Sequence, residues 1–344
     1  MSKNILWTGS HGFIAGYTIQ KLLDAGHKVW GIDNFWKYGV TGKDYDHHPN
    51  FTFFEGDAKD TALLKKIMLE NKIQIFVAGA AIIGGITMFH ELAYDIIAEN
   101  EKLTCAAFDV CIDAFTKGDF FEKIVVVSSS MVFENVDTFP TKEEDILDCP
   151  PPSSTYGFQK LAVEYFCKGA WEQFQLPYTI IRPFNAIGIG EKRAKVERDV
   201  FSGNIKMAMS HVLPDLVQKI YKGQYPLHIL GSGEQVRHYT YAGDLADGII
   251  ECIFNPKAIN NNFNISTPQG HTVKELAQAV WKFLDKSGEL VFVHDKPYTY
   301  DVQKRIPDVN KAVDVLGVTC TTSFEEALEE IVPWIIEQIK LNNI

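Results

Sequence analysis

Near the start of this chain a short apolar run, 4–8, breaks into Thr8-Gly9-Ser10-His11-Gly12-Phe13-Ile14-Ala15-Gly16 and then into a helical pattern. No other stretch constrains the fold as tightly. A strand that turns on glycine directly into a helix converges backbone N–H groups at the helix N-terminus, where an anion is held. Gly9 suits the tight turn, and Gly12 leaves room for a pyrophosphate against the backbone. Phe13 and Ile14 open the helix and join them as candidates for cofactor contact. Ala15, with Gly16 beside it, permits close helix–sheet packing. Outside this strand–turn–helix context the same letters would be an ordinary glycine turn.

The rest of the first half continues the alternation. Apolar runs at 28–32, 51–55, 73–78, 123–128 and 178–182 read as strands. Amphipathic patterns at 13–25, 61–70 and 94–115, and one beginning near Tyr156, read as helices. This predicts an α/β fold with a doubly wound parallel sheet. Beyond Asn185 glycine and proline loosen the pattern. Residues 1–185 are therefore expected to form a dinucleotide-binding domain. Residues 186–344 mainly form a smaller lobe above the carboxyl edge of the sheet, with more than one crossing between the two. The acidic, proline-rich segment 137–154 reads as a surface loop.

Charge narrows the ligands. Lys and Arg number 33 against 44 Asp and Glu, a net charge of −11. Such a surface repels nucleic acid and anionic membrane, so an anionic ligand must be gripped by local donors. The six cysteines form no CxxC pair, which suggests buried, reduced thiols and no metal site. No cleavable hydrophobic region precedes the glycine motif, and the apolar stretch 76–86 is too short to span a bilayer. A cytoplasmic location is expected.

Asp33 closes the second strand about twenty residues past the glycines, placed to accept both ribose hydroxyls and to repel a 2′-phosphate. NAD is thereby favoured over NADP. Asp57 follows the third strand similarly, where an adenine contact and a helix N-cap are both open. Tyr156 and Lys160 lie four residues apart on one helix face. A phenol titrates near ~10, too high for a base at neutrality, and an adjacent ammonium would lower it. The spacing alone is common. What strengthens it is Val125-Val126-Val127-Ser128-Ser129-Ser130, a buried strand ending in hydroxyls upstream.

Taken in order, these motifs resemble the extended short-chain dehydrogenase/reductases, specifically the NAD-dependent nucleotide-sugar epimerase/dehydratase group with its Rossmann-type sheet. The resemblance implies Tyr156 as catalytic base, Lys160 as its partner and ribose ligand, and Ser129 as the catalytic hydroxyl. Ser128 or Ser130 would take that place if the register slips by one. It implies Asn34, Asp57, Ala58, Ala80, Ala81, Asn100, Ser128 and Pro183 around NAD. For a nucleoside-diphosphate sugar it implies Gly84, Gly85, Ser130, Asn185, Leu213, Pro226 and Ile229, with Arg237 and Arg305 on the diphosphate. Phe133-Glu134 departs from the family's Tyr-Gly, and Ala78-Gly79 from its His-Leu. Asp244 and Asp308 read as structural. A homodimer through the helices near Tyr94 and Tyr156 is also implied.

The family's 4,6-dehydratases carry Asp-Glu directly after the catalytic hydroxyl; here stand Ser130 and Met131. A decarboxylase wants Glu near Met131, and the reductase/3,5-epimerase branch a Cys. Epimerisation at C4 of a UDP-hexose through a transient 4-keto sugar is what remains. The segment Ile82-Ile83-Gly84-Gly85-Ile86 pulls toward GDP-sugar 3,5-epimerases. A non-catalytic dinucleotide sensor of the same fold is the alternative from another class.

Overall fold

The computed structural model describes residues 2–195, 199–299 and 301–344. Its first half is β1 (Asn4–Thr8), α1 (Phe13–Asp24), β2 (Lys28–Asp33), β3 (Phe51–Glu55), α2 (Thr61–Glu70), β4 (Ile75–Ala78), α3 (Ile86–Glu91), α4 (Ala93–Lys117), β5 (Lys123–Val127), α5 (Thr155–Phe174) and β6 (Tyr178–Pro183). The second half adds β7 (Phe201–Ser202), β8 (Ile205–Lys206), α6 (Val212–Tyr221), β9 (Leu227–Leu230), β10 (Val236–Arg237) and α7 (Ala242–Phe254). It ends with β11 (Asn261–Ile265), β12 (His271–Thr272), α8 (Val273–Phe283), β13 (Phe292–Asp295) and α9 (Phe324–Lys340).

Seven strands form one parallel sheet in the order β11-β6-β5-β4-β1-β2-β3. The direction of winding reverses between β1 and β4, which opens a crevice at the carboxyl ends of the strands. Strands covered on both faces carry unbroken apolar runs, and Ile5, Leu6, Phe76, Val77, Ile124 and Val125 are all fully buried. Ile19 and Leu22 of α1 pack with Leu245 and Ile249 of α7 on one face. Leu64, Val110 and Val163, from α2, α4 and α5, cover the other. A third core gathers Leu216 of α6, Ile229 of β9, Leu276 of α8 and Ile331 of α9.

The expected elements shift by a residue or two at their ends, as fraying allows. The larger difference is β11, a seventh sheet strand drawn from beyond residue 185, pairing Asn261–Ile265 against Thr179–Pro183. Its sequence, NNFNI, alternates Asn with apolar residues and gives no long apolar run. Asn264 is fully buried there because Glu143 accepts from its backbone N–H and Thr141 O from its side chain. The segment 137–154 is accordingly not wholly a surface loop. Thr141 and Glu143 are buried, and the carbonyl of Glu143 also accepts from Arg182. A second correction concerns the thiols. All six are free, but Cys105 is exposed and Cys149 half-buried.

Candidate active site

A cleft of about 1220 Å³ lies over the crevice, and the glycine turn forms its floor. Gly9 has φ +74°, and a side chain there would stand 2.9 Å from the Ala80 backbone. At Gly12 an added Cβ would lie 3.0 Å from Gly9 O. The turn therefore exposes bare backbone at the start of α1. Asp33 ends β2 at the same edge, its carboxylate accepting from the N–H groups of His11 (2.9 Å) and Phe35 (2.8 Å). Asn34, Asp57, Ala58, Ala80, Ala81 and Pro183 line the same cleft, with Phe13 and Ile14. This cradle, with a carboxylate at ribose distance along the chain, fits an NAD-shaped ligand. Asp57 is not the cap of α2: Asp60 is, accepting from Ala62 and Leu63 N–H at 3.0 Å each.

The serine strand and α5 meet beside it. Ser128 Oγ donates to Glu164 Oε1 at 2.6 Å, and Glu164 in turn receives a two-pronged bond from Arg182 at 2.8 and 2.7 Å. That hydroxyl is spent on the protein. Ser129 is the hydroxyl that stands by the Tyr156 phenol and favours its ionised form, while its Oγ accepts from Met131 N–H. Lys160, one helical turn on, donates to Val127 O at 2.8 Å. Burial pushes the Tyr156 phenol up to about 12, against the pull of Ser129 and of the Arg305 charge. Burial brings Lys160 down to about 8, opposed by Glu164.

Helix α5 is aimed by its cap. Ser154 Oγ accepts from Gly157 N–H, and buried Glu134 accepts from both the N–H and Oγ of Ser154. The Glu that replaces the family's Gly at 134 is thus an anchor for the tyrosine helix. Met131 packs against Tyr156, so an apolar thioether occupies the place where an acid would stand. Phe89 of α3 stacks on the Tyr156 ring at 4.3 Å, a contact no sequence pattern announces.

Arg237 and Arg305 line the same cleft. Arg237 is pinned by Val236 O (2.9 Å), Val302 O (2.5 Å) and Asp301. Arg305 contacts Met131 Sδ, and burial together with Arg237 lowers it to about 9. Two mutually repelling guanidiniums in a shared cleft are a place for an anion. Asn185, held at φ +36°, lines the same region with its Oδ1 buried and unpartnered. Ser130 and Ile229 line it as well.

Three expected site residues lie outside the cleft lining, and two glycines within it also answer to the fold. Asn100 stands one layer behind the cleft, both ends of its amide bonded to the backbone of Ile82 (2.7 and 3.0 Å). Leu213 is buried in the third core, and its neighbour Val212 reaches the cleft instead. Pro226 lies outside the lining, which takes up with His228 and Ile229 of the following strand. Gly84 and Gly85 do line the cleft, yet protein backbone is what excludes side chains there. Added Cβ atoms would meet Met209 O at 3.0 Å and Ser210 O at 2.3 Å. Sequence reasoning also missed His211, whose Nδ1 bonds the buried Glu191 at the N-terminus of α6. Among the described residues no helix is long and apolar enough to cross a membrane, and no cluster suits a metal ion.

The chain matches the family described as "NAD dependent epimerase/dehydratase family" over residues 5–266. It is 27% identical to a UDP-N-acetyl-alpha-D-glucosaminuronate decarboxylase of Bacillus cytotoxicus, covering 98% of this chain and 99% of that one. It is 26% identical to the UDP-glucose 4-epimerase of Lacticaseibacillus casei, covering 90% and 89%. The crystal structure of the UDP-glucose 4-epimerase of Thermotoga maritima with UDP-glucose superposes with a TM-score of 0.81. It shares 26% identity and covers 98% of this chain and 99% of that one.

Proposed function

The chain belongs to the NAD-dependent epimerase/dehydratase family, and from that membership we propose that it inverts C4 of a UDP-hexose. The observation that carries this reading is the convergence of Ser129, Tyr156 and Lys160 in the cleft floored by the glycine cradle. Bound NAD supplies the hydride acceptor and donor at a sugar carbon. Tyr156 takes the hydroxyl proton as the carbonyl forms, and Ser129 orients the same oxygen. Lys160, whose Nζ lies 6.0 Å from the centre of the Tyr156 ring, joins the Arg305 charge in favouring phenolate in a phenol that burial alone would keep protonated. Arg237 and Arg305 hold the diphosphate while the sugar presents its other face. Ser130 and Met131 offer no acid to expel water, which favours return of the proton over elimination. The Lacticaseibacillus casei and Thermotoga maritima relatives support the C4 and uridine assignments.

Incubation with UDP-, GDP-, CDP- and dTDP-sugars, followed by chromatography and mass analysis, tests this. UDP-glucose and UDP-galactose are expected to interconvert without change of mass. A product lighter by water or carbon dioxide would overturn epimerisation. His211 favours a second reading. A histidine whose Nδ1 is held by a buried carboxylate presents Nε2 as a base, and it lies beside Gly85. That suits removal of a carbon-bound proton next to the keto group, as a 3,5-epimerase requires. Deuterium wash-in from solvent at C3 or C5 distinguishes the two.

We also assign the chain to the cytoplasm, where six unpaired thiols stay reduced. The same reading makes it a homodimer through α4 and α5. Tyr94, Phe158 and Tyr165 are exposed there, and light scattering of a Tyr165→Lys variant reports on it.

A further inference from the structure

His11 stands inside the glycine turn, where a small residue would suffice for the bend. Its side chain is not turned to solvent: the residue is 5% exposed. The ring lies edge-on to Phe53 at 4.4 Å and to Phe35 at 5.0 Å. Inside this aromatic box both ring nitrogens are engaged, Nδ1 with Ser10 Oγ and Nε2 with Asp46 Oδ1, each at 3.1 Å. Asp46 belongs to a short 3-10 turn, Asp44–His47, that braces the glycine turn from behind. Tyr45 of the same turn donates to Ser10 O at 2.5 Å, and Lys43 donates to Gly12 O at 3.1 Å. The brace therefore grips the turn at Ser10, His11 and Gly12, the residues whose backbone leads into the N-terminus of α1.

We propose that His11 is a proton-linked positioning residue for the dinucleotide: binding of NAD draws a proton onto this imidazole, which then holds the glycine turn against Asp46. The proposal rests on the NAD-binding part of the reading above and not on the sugar chemistry. Asp46 and Asp33 face the ring as carboxylates, and Lys43 as a cation; Ser10 and the hydroxyl of Tyr45 are the neutral polar neighbours. Without a ligand, burial outweighs the two carboxylates and keeps the imidazole below its ordinary range. A pyrophosphate bound at the turn adds negative charge on the open side, and the balance tips to the imidazolium. The sign follows from linkage. A group that binds its proton more tightly in the complex makes affinity rise as pH falls through its range. Lys43, lowered to about 8 by burial, responds to the same anion in a separate alkaline window.

The test is calorimetric titration of NAD into the full-length chain freed of bound nucleotide, in buffers of different ionisation enthalpy. Wild type is expected to take up a fraction of a proton on the acid side of the ordinary imidazole range. Its Kd should tighten severalfold from pH 7.5 to 5.5. In His11→Gln, which keeps polar contacts in the box, the acidic uptake vanishes while the alkaline window persists. Asp46→Asn moves the acidic window to lower pH and leaves its amplitude. Zero uptake by wild type below pH 6.5, or unchanged uptake in His11→Gln, overturns the proposal. Failure of the sugar assay alone leaves it standing, because NAD binding is read directly.

Discussion

The two walls of the cleft follow different rules. On the cofactor wall each functional group hangs from the end of a regular element: the glycine turn between β1 and α1, Asp33 at the end of β2, Ser129 just past β5, Tyr156 in the first turn of α5. The periodicity that builds the sheet also delivers the chemistry. On the substrate wall the groups come from two-residue strands and turns, such as Arg237 in β10 and Arg305 between β13 and α9. Their positions are fixed by individual hydrogen bonds, Arg237 to Val302 O among them. The cofactor wall should thus tolerate changes that keep backbone geometry, whereas the substrate wall should depend on single side chains.

Tyr156→Phe gives the largest effect expected. On the proposed mechanism the change removes the proton acceptor and should cost about a thousandfold or more in turnover, while NAD affinity stays within about threefold because the turn is untouched. Turnover near that of wild type would remove Tyr156 from the mechanism. On the other wall, Arg237→Ala should lower kcat/KM by about a hundredfold, as expected for losing a charged, buried hydrogen-bond donor. Most of that loss should appear in KM. A loss confined to kcat would instead place Arg237 at the reacting carbon.

Two smaller tests stay on the cofactor wall. Lys160 is lowered to about 8 by burial, so its ammonium is present below that pH and lost above it. Turnover should fall about tenfold for each pH unit above this point, and a flat profile to pH 10 would show that the ammonium is not required. Asp33→Asn should relax the discrimination against NADP by about tenfold, through loss of one negative charge beside the 2′ position. Equal use of both cofactors by wild type would refute the role of Asp33.

Legibility follows the same division. β1 and α2 could be read to the residue, since burial on both sheet faces or along one helix stripe imposes a strict pattern. β11 could not, because Asn262 and Asn264 replace apolar residues and are bonded by Arg182, Glu143 and Thr141, partners remote in sequence, with only Asn264 Oδ1 left unpartnered. Asn100 was misplaced for a related reason. Its letter and position suit a ligand contact, and only the fold shows that the Ile82 backbone uses its whole amide. Glu134 was visible as a departure from the family pattern, but its meaning depends on Ser154 lying across from it. Pairings between distant polar groups leave no periodic trace.

The smallest expected effect asks whether the two regions unfold together. Asp244, in the first turn of α7, accepts from both the N–H and Oγ of Thr322 at 2.8 Å. Helix α7 packs on α1 and the sheet, while Thr322 leads into α9 and the third core. Asp244→Ala therefore removes two hydrogen bonds from a stitch between the halves, about 1–2 kcal/mol. A protein that unfolds as one unit should show a single transition lowered by about 2–4 °C, with turnover essentially unchanged at 25 °C. If the transition splits instead, with the part around α6, α8 and α9 melting first, the halves are separately cooperative. The contrast between the walls would then extend from chemistry to stability.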